Sequence, residues 1–254
     1  MNDVVLKVEQ LSYRYENQPV LQKISFDLRR GEMMGLIGPN GSGKSTLLKV
    51  ILGVLPMQTG KVEWFGQSIR DFKDYSNIGY VSQKANSFNT GFPATAEEVV
   101  MMGLTAKLGL FHRPRKKEKA LVLQALDAVG MKDYATKNIG RLSGGQQQRI
   151  FIAKAIVGKP EVLILDEPTV GVDSSSESQF YELIQKLNNE MQLSMILVSH
   201  DLGGISMKMN TIACLNQRLH FHGNADDFDR VKSEIIHGSF GHNALLQKRG
   251  TPFS

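Results

Sequence analysis

The sequence predicts an α/β fold: a mainly parallel sheet flanked by helices, led by antiparallel N-terminal strands and carrying an inserted helical subdomain. Three observations predict it. Continuous apolar runs at 33–37, 162–165, 195–198 and 212–215 have the length of strands buried on both faces. Helical patterns at 45–52, 175–189 and 202–209 fall between them, the alternation that a parallel sheet requires. The first apolar run also stops at Gly38, where a glycine-rich segment leads into a helix, as in phosphate-loop domains.

The elements follow in order. Val4, Leu6 and Val8 alternate with more polar neighbours, as do Ile24, Phe26 and Leu28, so both segments read as half-buried strands. The buried run 33–37 comes next. Between about 86 and 157 the strand signal fades, and 97–104, 117–129 and 143–157 read as helices. Gly130 is placed as a C-cap for the middle one. The chain therefore divides into an α/β core over 1–86 and 157–225, a helical subdomain over 87–156, and a tail over 226–254. Acidic residues, glycines and a polar end predict a weakly structured tail. No internal repeat and no heptad run is present.

Composition sets outer bounds. The chain has 254 residues, 41% of them hydrophobic, enough to bury one large core with an insertion. Its one cysteine, Cys214, excludes an internal disulfide and lies in an apolar run, as a small core residue would. No stretch approaches eighteen consecutive apolar residues and the N-terminus lacks a secretory pattern, so any membrane-spanning part is expected from other subunits. The net charge of +5 is modest, and the one dense basic run, 112–119, reads as a solvated loop and helix start.

Three motifs carry chemistry. Gly38, Pro39, Asn40, Gly41, Ser42, Gly43, Lys44, Ser45 and Thr46 fit the phosphate-loop pattern, in which glycines turn backbone N–H groups inward around an anion. The helix that follows adds its positive dipole end. Lys44 is placed to neutralise the β- and γ-phosphates of a nucleotide, and the Ser45 hydroxyl to ligate Mg²⁺. Asp166 and Glu167 end a buried strand, and because a strand alternates its faces they are expected to point apart and act differently. Asp166 is expected to hold Mg²⁺ through water, and Glu167 to face the attacking water. In Leu142-Ser143-Gly144-Gly145-Gln146, Ser143 can cap a helix whose glycines let an anion approach, a second phosphate-binding helix end.

With these runs assembled, the chain closely resembles the ATP-binding cassette family to about Gly223. The resemblance implies that ATP and Mg²⁺ are bound and ATP hydrolysed, with two copies head to tail and Ser143, Gly144, Gly145 and Gln146 of each clasping the γ-phosphate held by the other. It also implies roles for residues that spacing alone does not assign. Gln83 matches the glutamine that senses Mg²⁺ or water and touches the membrane partner. His200, within Ser199-His200-Asp201, matches the histidine that binds the γ-phosphate and orients Glu167. Asp173 falls in the loop contacting the opposite cassette. Tyr15 is placed like the adenine-stacking aromatic, with Tyr13 as competitor.

A single cassette without heptads fits the energy-supplying subunit of a transporter better than a ribosome factor or a DNA-repair ATPase. No nucleic-acid partner is expected. The segments 92–104 and 215–223 are similar to cassettes of bacterial zinc and manganese uptake systems. That resemblance implies import of zinc, with manganese, iron, siderophore or haem as alternatives. It further implies multi-span permease subunits, an extracellular metal-binding protein, and a peripheral place on the cytoplasmic face of a bacterial membrane. His220 and His222 share a strand face, with His237 and His242 further on, but no cysteine or third ligand accompanies the pair. They read as ordinary strand and tail residues.

Overall fold

The computed structural model describes residues 3–83, 93–109, 115–169, 174–200 and 208–239. In chain order these form β1 (Val4–Tyr15), β2 (Gln18–Arg29), β3 (Met33–Ile37), α1 (Lys44–Ile51), β4 (Thr59–Trp64), β5 (Gln67–Ser68) and β6 (Ile78–Val81). There follow α2 (Ala96–Met101), α3 (Thr105–Leu108), α4 (Lys116–Ala128), α5 (Gly144–Ile156), β7 (Val162–Asp166) and α6 (Ser174–Met191). The last elements are β8 (Ser194–Ser199), β9 (Thr211–Asn216), β10 (Arg218–Asn224) and α7 (Ala225–Ser239). They gather into two compact units, Met1–Phe72 with Val198–Ser254, and Lys73–Leu197. The α/β class holds.

The first unit contains an antiparallel sheet in the order β2-β1-β4-β5. Alternation of Val8, Leu11, Ile24, Phe26 and Leu28 places their side chains in the core, as the two-residue period requires. Register breaks interrupt it, and those at Gln10 and Lys23 each have φ near +50°. The N–H of each is taken by a serine on the facing strand: Gln10 by Ser25 Oγ and Lys23 by Ser12 Oγ, both at 2.9 Å. Strand β3 pairs in parallel with β9, which continues antiparallel into β10. Met33 to Ile37 are buried throughout, so the chain reaches Gly38 from inside the core. Cys214 is buried on β9, and burial pushes its thiol up to about 12, as expected of a core residue.

In the second unit β6 pairs in parallel with β7, from Ile78 opposite Val162 to Val81 opposite Leu165, and β8 lies on the other side of β7. Helices α2, α4 and α5 pack on one another through Val99, Val100, Val122, Leu126, Ile150 and Ala153. A reciprocal cap starts α2, with Thr95 Oγ1 accepting from Glu98 N–H while the Glu98 carboxylate accepts from Thr95 N–H at 2.7 Å.

Several expectations change. The tail does not begin at 226: residues 225–239 form α7, because Phe228 is fully buried and meets Phe221 of β10 at 5.4 Å between ring centroids. The helical spacing is present in the sequence, with apolar residues at 228, 231, 235 and 236, but it is diluted by the acidic and polar residues around it. Strands β4 and β5 go unpredicted, since β4 opens with Thr59 and Gly60 and buries only Val62 and Trp64. The helix expected over 97–104 stops at Met101 and continues as a 3₁₀ turn over Met102–Leu104. The compact units divide at 72/73 and 197/198, so β6 and β7 group with the helices. Residues 202–207 of the helix expected over 202–209, and the start of the basic run, 112–114, lie outside the described residues.

Phe228→Ala tests whether α7 belongs to the folded unit. Removing a fully buried phenylalanine should cost about 3–5 kcal/mol, read as a lower urea midpoint at unchanged m-value.

Candidate functional site

The first unit carries Tyr15, the loop 38–46 and His200. Gly38 sits where β3 ends, its N–H donating to Ser199 carbonyl at 3.3 Å. That bond puts His200, the next residue, beside the start of the loop. A Cβ at Gly38 would lie 2.1 Å from the carbonyl oxygen of Leu215, so no other residue fits. Gly43 begins α1 at φ +103°, a conformation side chains rarely adopt, and a Cβ there would meet Leu21 and Val20.

The loop folds around Lys44, which is only 5% exposed; its ammonium donates to the carbonyls of Gly38 (2.7 Å) and Pro39 (3.1 Å). Ser42, 1% exposed, has an Oγ with no hydrogen-bond partner. A buried hydroxyl left unsatisfied costs about 1–3 kcal/mol, which an anion seated in the loop would recover. A buried cation, an unsatisfied hydroxyl and the start of α1 together fit a phosphate chain. Ser45 is exposed at the first turn of α1, where its hydroxyl can reach a bound cation, while Thr46 is buried.

Tyr13 and Tyr15 meet edge to face, 5.1 Å between centroids. Tyr13 is 7% exposed and Tyr15 is 44% exposed, so only Tyr15 has a ring face available to a planar ligand. Sequence reasoning missed Gln217, at the turn between β9 and β10 with φ +58°. Its N–H donates to the Ser42 carbonyl at 2.9 Å, and its carbonyl accepts from Gln22 N–H at 2.7 Å. The turn thus braces the loop from 175 residues away in sequence, a contact no local pattern announces.

The second unit carries Gln83, Asp166, Glu167 and the helix start at Ser143. The expectation that Asp166 and Glu167 diverge by strand alternation is corrected: β7 ends at Asp166, and Glu167 turns away at φ +46°. The two carboxylates meet different donors. Gln83 Nε2 donates to Glu167 Oε2 at 2.8 Å, and Tyr80 Oη donates to Asp166 Oδ2 at 3.2 Å. Burial first, then the Asp166 carboxylate, push the Tyr80 hydroxyl up to about 12, so it stays a donor.

Ser143 caps α5 as predicted: its Oγ accepts from Gln146 N–H at 3.3 Å, and the Gln146 side chain accepts from Ser143 N–H at 3.0 Å. Nothing lies within 4 Å of where a Cβ would stand on Gly144 or Gly145, so this helix end is open to an approaching group. A cleft of about 330 Å³ adjoins Ser143, Gly145 and Gln146. Gln148, also unanticipated, donates to the Pro168 carbonyl at 2.6 Å and so ties α5 to the turn holding Glu167.

Asp173 lies outside the described residues, as do His242 and the His237 side chain. His220 and His222 stand on the exposed face of β10, with His222 against Phe26. Among the described residues no group of three metal-ligating side chains gathers.

Residues 21–170 match the ABC transporter family. The zinc uptake system ATP-binding protein ZurA of Listeria monocytogenes is 50% identical over 230 residues, covering 91% of this chain and 90% of that protein. The manganese transport system ATP-binding protein MntB of Halalkalibacterium halodurans is 42% identical over 227 residues, covering 89% and 88%. Among solved structures, cbiO1 from Clostridium perfringens, part of the ABC transporter complex cbiONQ, aligns with TM-score 0.82 at 28% identity, covering 98% of this chain and all of that one.

Gly38→Ala is expected to destabilise the first unit by about 1–3 kcal/mol, because the new methyl must displace a strand carbonyl rather than a movable side chain. Chemical denaturation checks it.

Proposed function

Since the chain belongs to the ABC transporter family, whose cassettes bind and hydrolyse ATP, we propose that it is the ATPase subunit of a bacterial metal importer and that zinc is the metal carried. The observation that carries the ATPase is the loop at Gly38, with Lys44 buried inside it and Ser42 Oγ left unsatisfied. Likeness to ZurA over nearly the whole chain supports the zinc reading. Likeness to MntB keeps manganese as the second reading.

Each residue then has a task. Tyr15 stacks on adenine. The loop N–H groups and Ser42 grip the phosphates, and Lys44 exchanges the carbonyls of Gly38 and Pro39 for phosphate oxygens. Mg²⁺, when bound, offsets negative charge on the triphosphate; Ser45, Asp166 through water and Gln83 are the residues that would hold it. Glu167 accepts a hydrogen bond from the attacking water and orients it, once Gln83 gives up the Glu167 oxygen it now occupies. His200 steadies the γ-phosphate and Glu167. Ser143, Gly144, Gly145 and Gln146 act on the nucleotide of a second copy, whose approach the open end of α5 permits, and Asp173 contacts that copy.

No helix among the described residues is long and apolar enough to cross a membrane. As an importer's ATPase subunit, the chain would lie peripherally on the cytoplasmic face, against separate permease subunits fed by an extracellular metal-binding protein.

Glu167→Gln should lower ATP turnover of the full assembly at least about 100-fold while leaving nucleotide binding intact. Lys44→Ala should lose both. Wild-type turnover in the first, or unaltered ATP affinity in the second, contradicts the assignment. For the cargo, cells lacking this chain should show reduced zinc at unchanged manganese by elemental analysis; the reverse pattern selects manganese.

A further inference from the structure

Strand β6 and the residues just after it supply one donor to each carboxylate at the end of β7. Gln83 meets Glu167; Tyr80 meets Asp166. The register explains the second contact. Tyr80 is paired with Ile164 in the parallel ladder, and Asp166 stands two residues further along β7, on the same face. A long side chain leaning along the strand brings a hydroxyl to that carboxylate.

The neighbouring position cannot do this. A Cβ at Gly79 would lie 2.7 Å from the Ala155 carbonyl of α5, so that face of β6 is closed by the helix. Packing alone does not account for a tyrosine at position 80, because the residue remains 42% exposed and the ring reaches past the core to the acidic turn. A phenylalanine would cover the same apolar surface and leave Asp166 Oδ2 without this donor.

We propose that Tyr80 is a positioning residue for the metal-binding carboxylate: its hydroxyl fixes Asp166 Oδ2 so that the group presents one constant orientation to Mg²⁺ and the water between them. The inference rests on the assignment of Asp166 to Mg²⁺ under Proposed function. Asp166 has two side-chain torsions to fix, and a donor on one oxygen removes that freedom before the cation arrives.

The test is Tyr80→Phe in the full chain, with Mn²⁺ as a paramagnetic stand-in for Mg²⁺. Mn²⁺ binding to the ADP complex is titrated by electron paramagnetic resonance. ADP affinity without divalent cation and the thermal midpoint are measured alongside. Expected is Mn²⁺ affinity weakened about 3- to 10-fold, the size of one net hydrogen bond, with cation-free ADP affinity unchanged. In turnover the Mg²⁺ requirement should rise by a similar factor, with kcat at saturating Mg²⁺ within about twofold of wild type. Unchanged Mn²⁺ affinity overturns the role. So does an equal loss of ADP affinity without cation, which marks a structural effect instead. If the wild-type chain binds ADP but Asp166→Asn leaves Mn²⁺ affinity intact, the metal assignment itself fails, and that outcome is distinct from failure at Tyr80.

Discussion

Lys44 is a charge held inside the protein, and the geometry around it constrains much of the first unit. Its ammonium lies against the carbonyls of Gly38 and Pro39, in a loop that begins where a fully buried strand ends. An ammonium tolerates such a place only among oriented dipoles or opposite charge. The loop must therefore keep its carbonyls turned toward the lysine while leaving room for an anion. Gly38 can pass beneath Leu215 only because it lacks a side chain, Gly43 takes a backbone conformation others avoid, and Gln217 holds Ser42 from the β9–β10 turn. The fold itself therefore holds the loop in the shape proposed to take a phosphate chain.

The second unit solves the opposite problem, that of keeping two adjacent carboxylates apart. Ending β7 at Asp166 and turning Glu167 into the left-handed region sends them in different directions, and a non-glycine residue persists there only when its surroundings hold it. Gln83 and Gln148 supply that hold: one bonds the Glu167 carboxylate, the other the carbonyl of Pro168. Because Gln148 lies on α5, a hydrogen bond links the helix capped by Ser143 to the acidic turn.

Gln146 shows how one side chain can serve the fold and the site at once. Its amide closes the reciprocal cap with Ser143, so the helix start is already ordered without any anion. The two glycines between them leave that ordered end uncovered. The reciprocal cap engages the N–H groups of Ser143 and Gln146, and the first-turn N–H groups between them point out of the helix start.

The sequence by itself determined the α/β class, nearly every central strand, and where the glycine-rich loop, the acidic pair and the glycine-flanked helix cap lie. These are local matters: apolar period, glycine placement and capping chemistry act over a few residues and leave their mark there. Only the tertiary structure decided that Tyr15 and not Tyr13 is exposed, that Glu167 turns by a left-handed residue, and that Tyr80, Gln148 and Gln217 bond Asp166, Pro168 and Ser42. Each of these depends on which distant segment lies alongside, and burial or a hydrogen bond across many residues of chain has no periodic trace in the sequence.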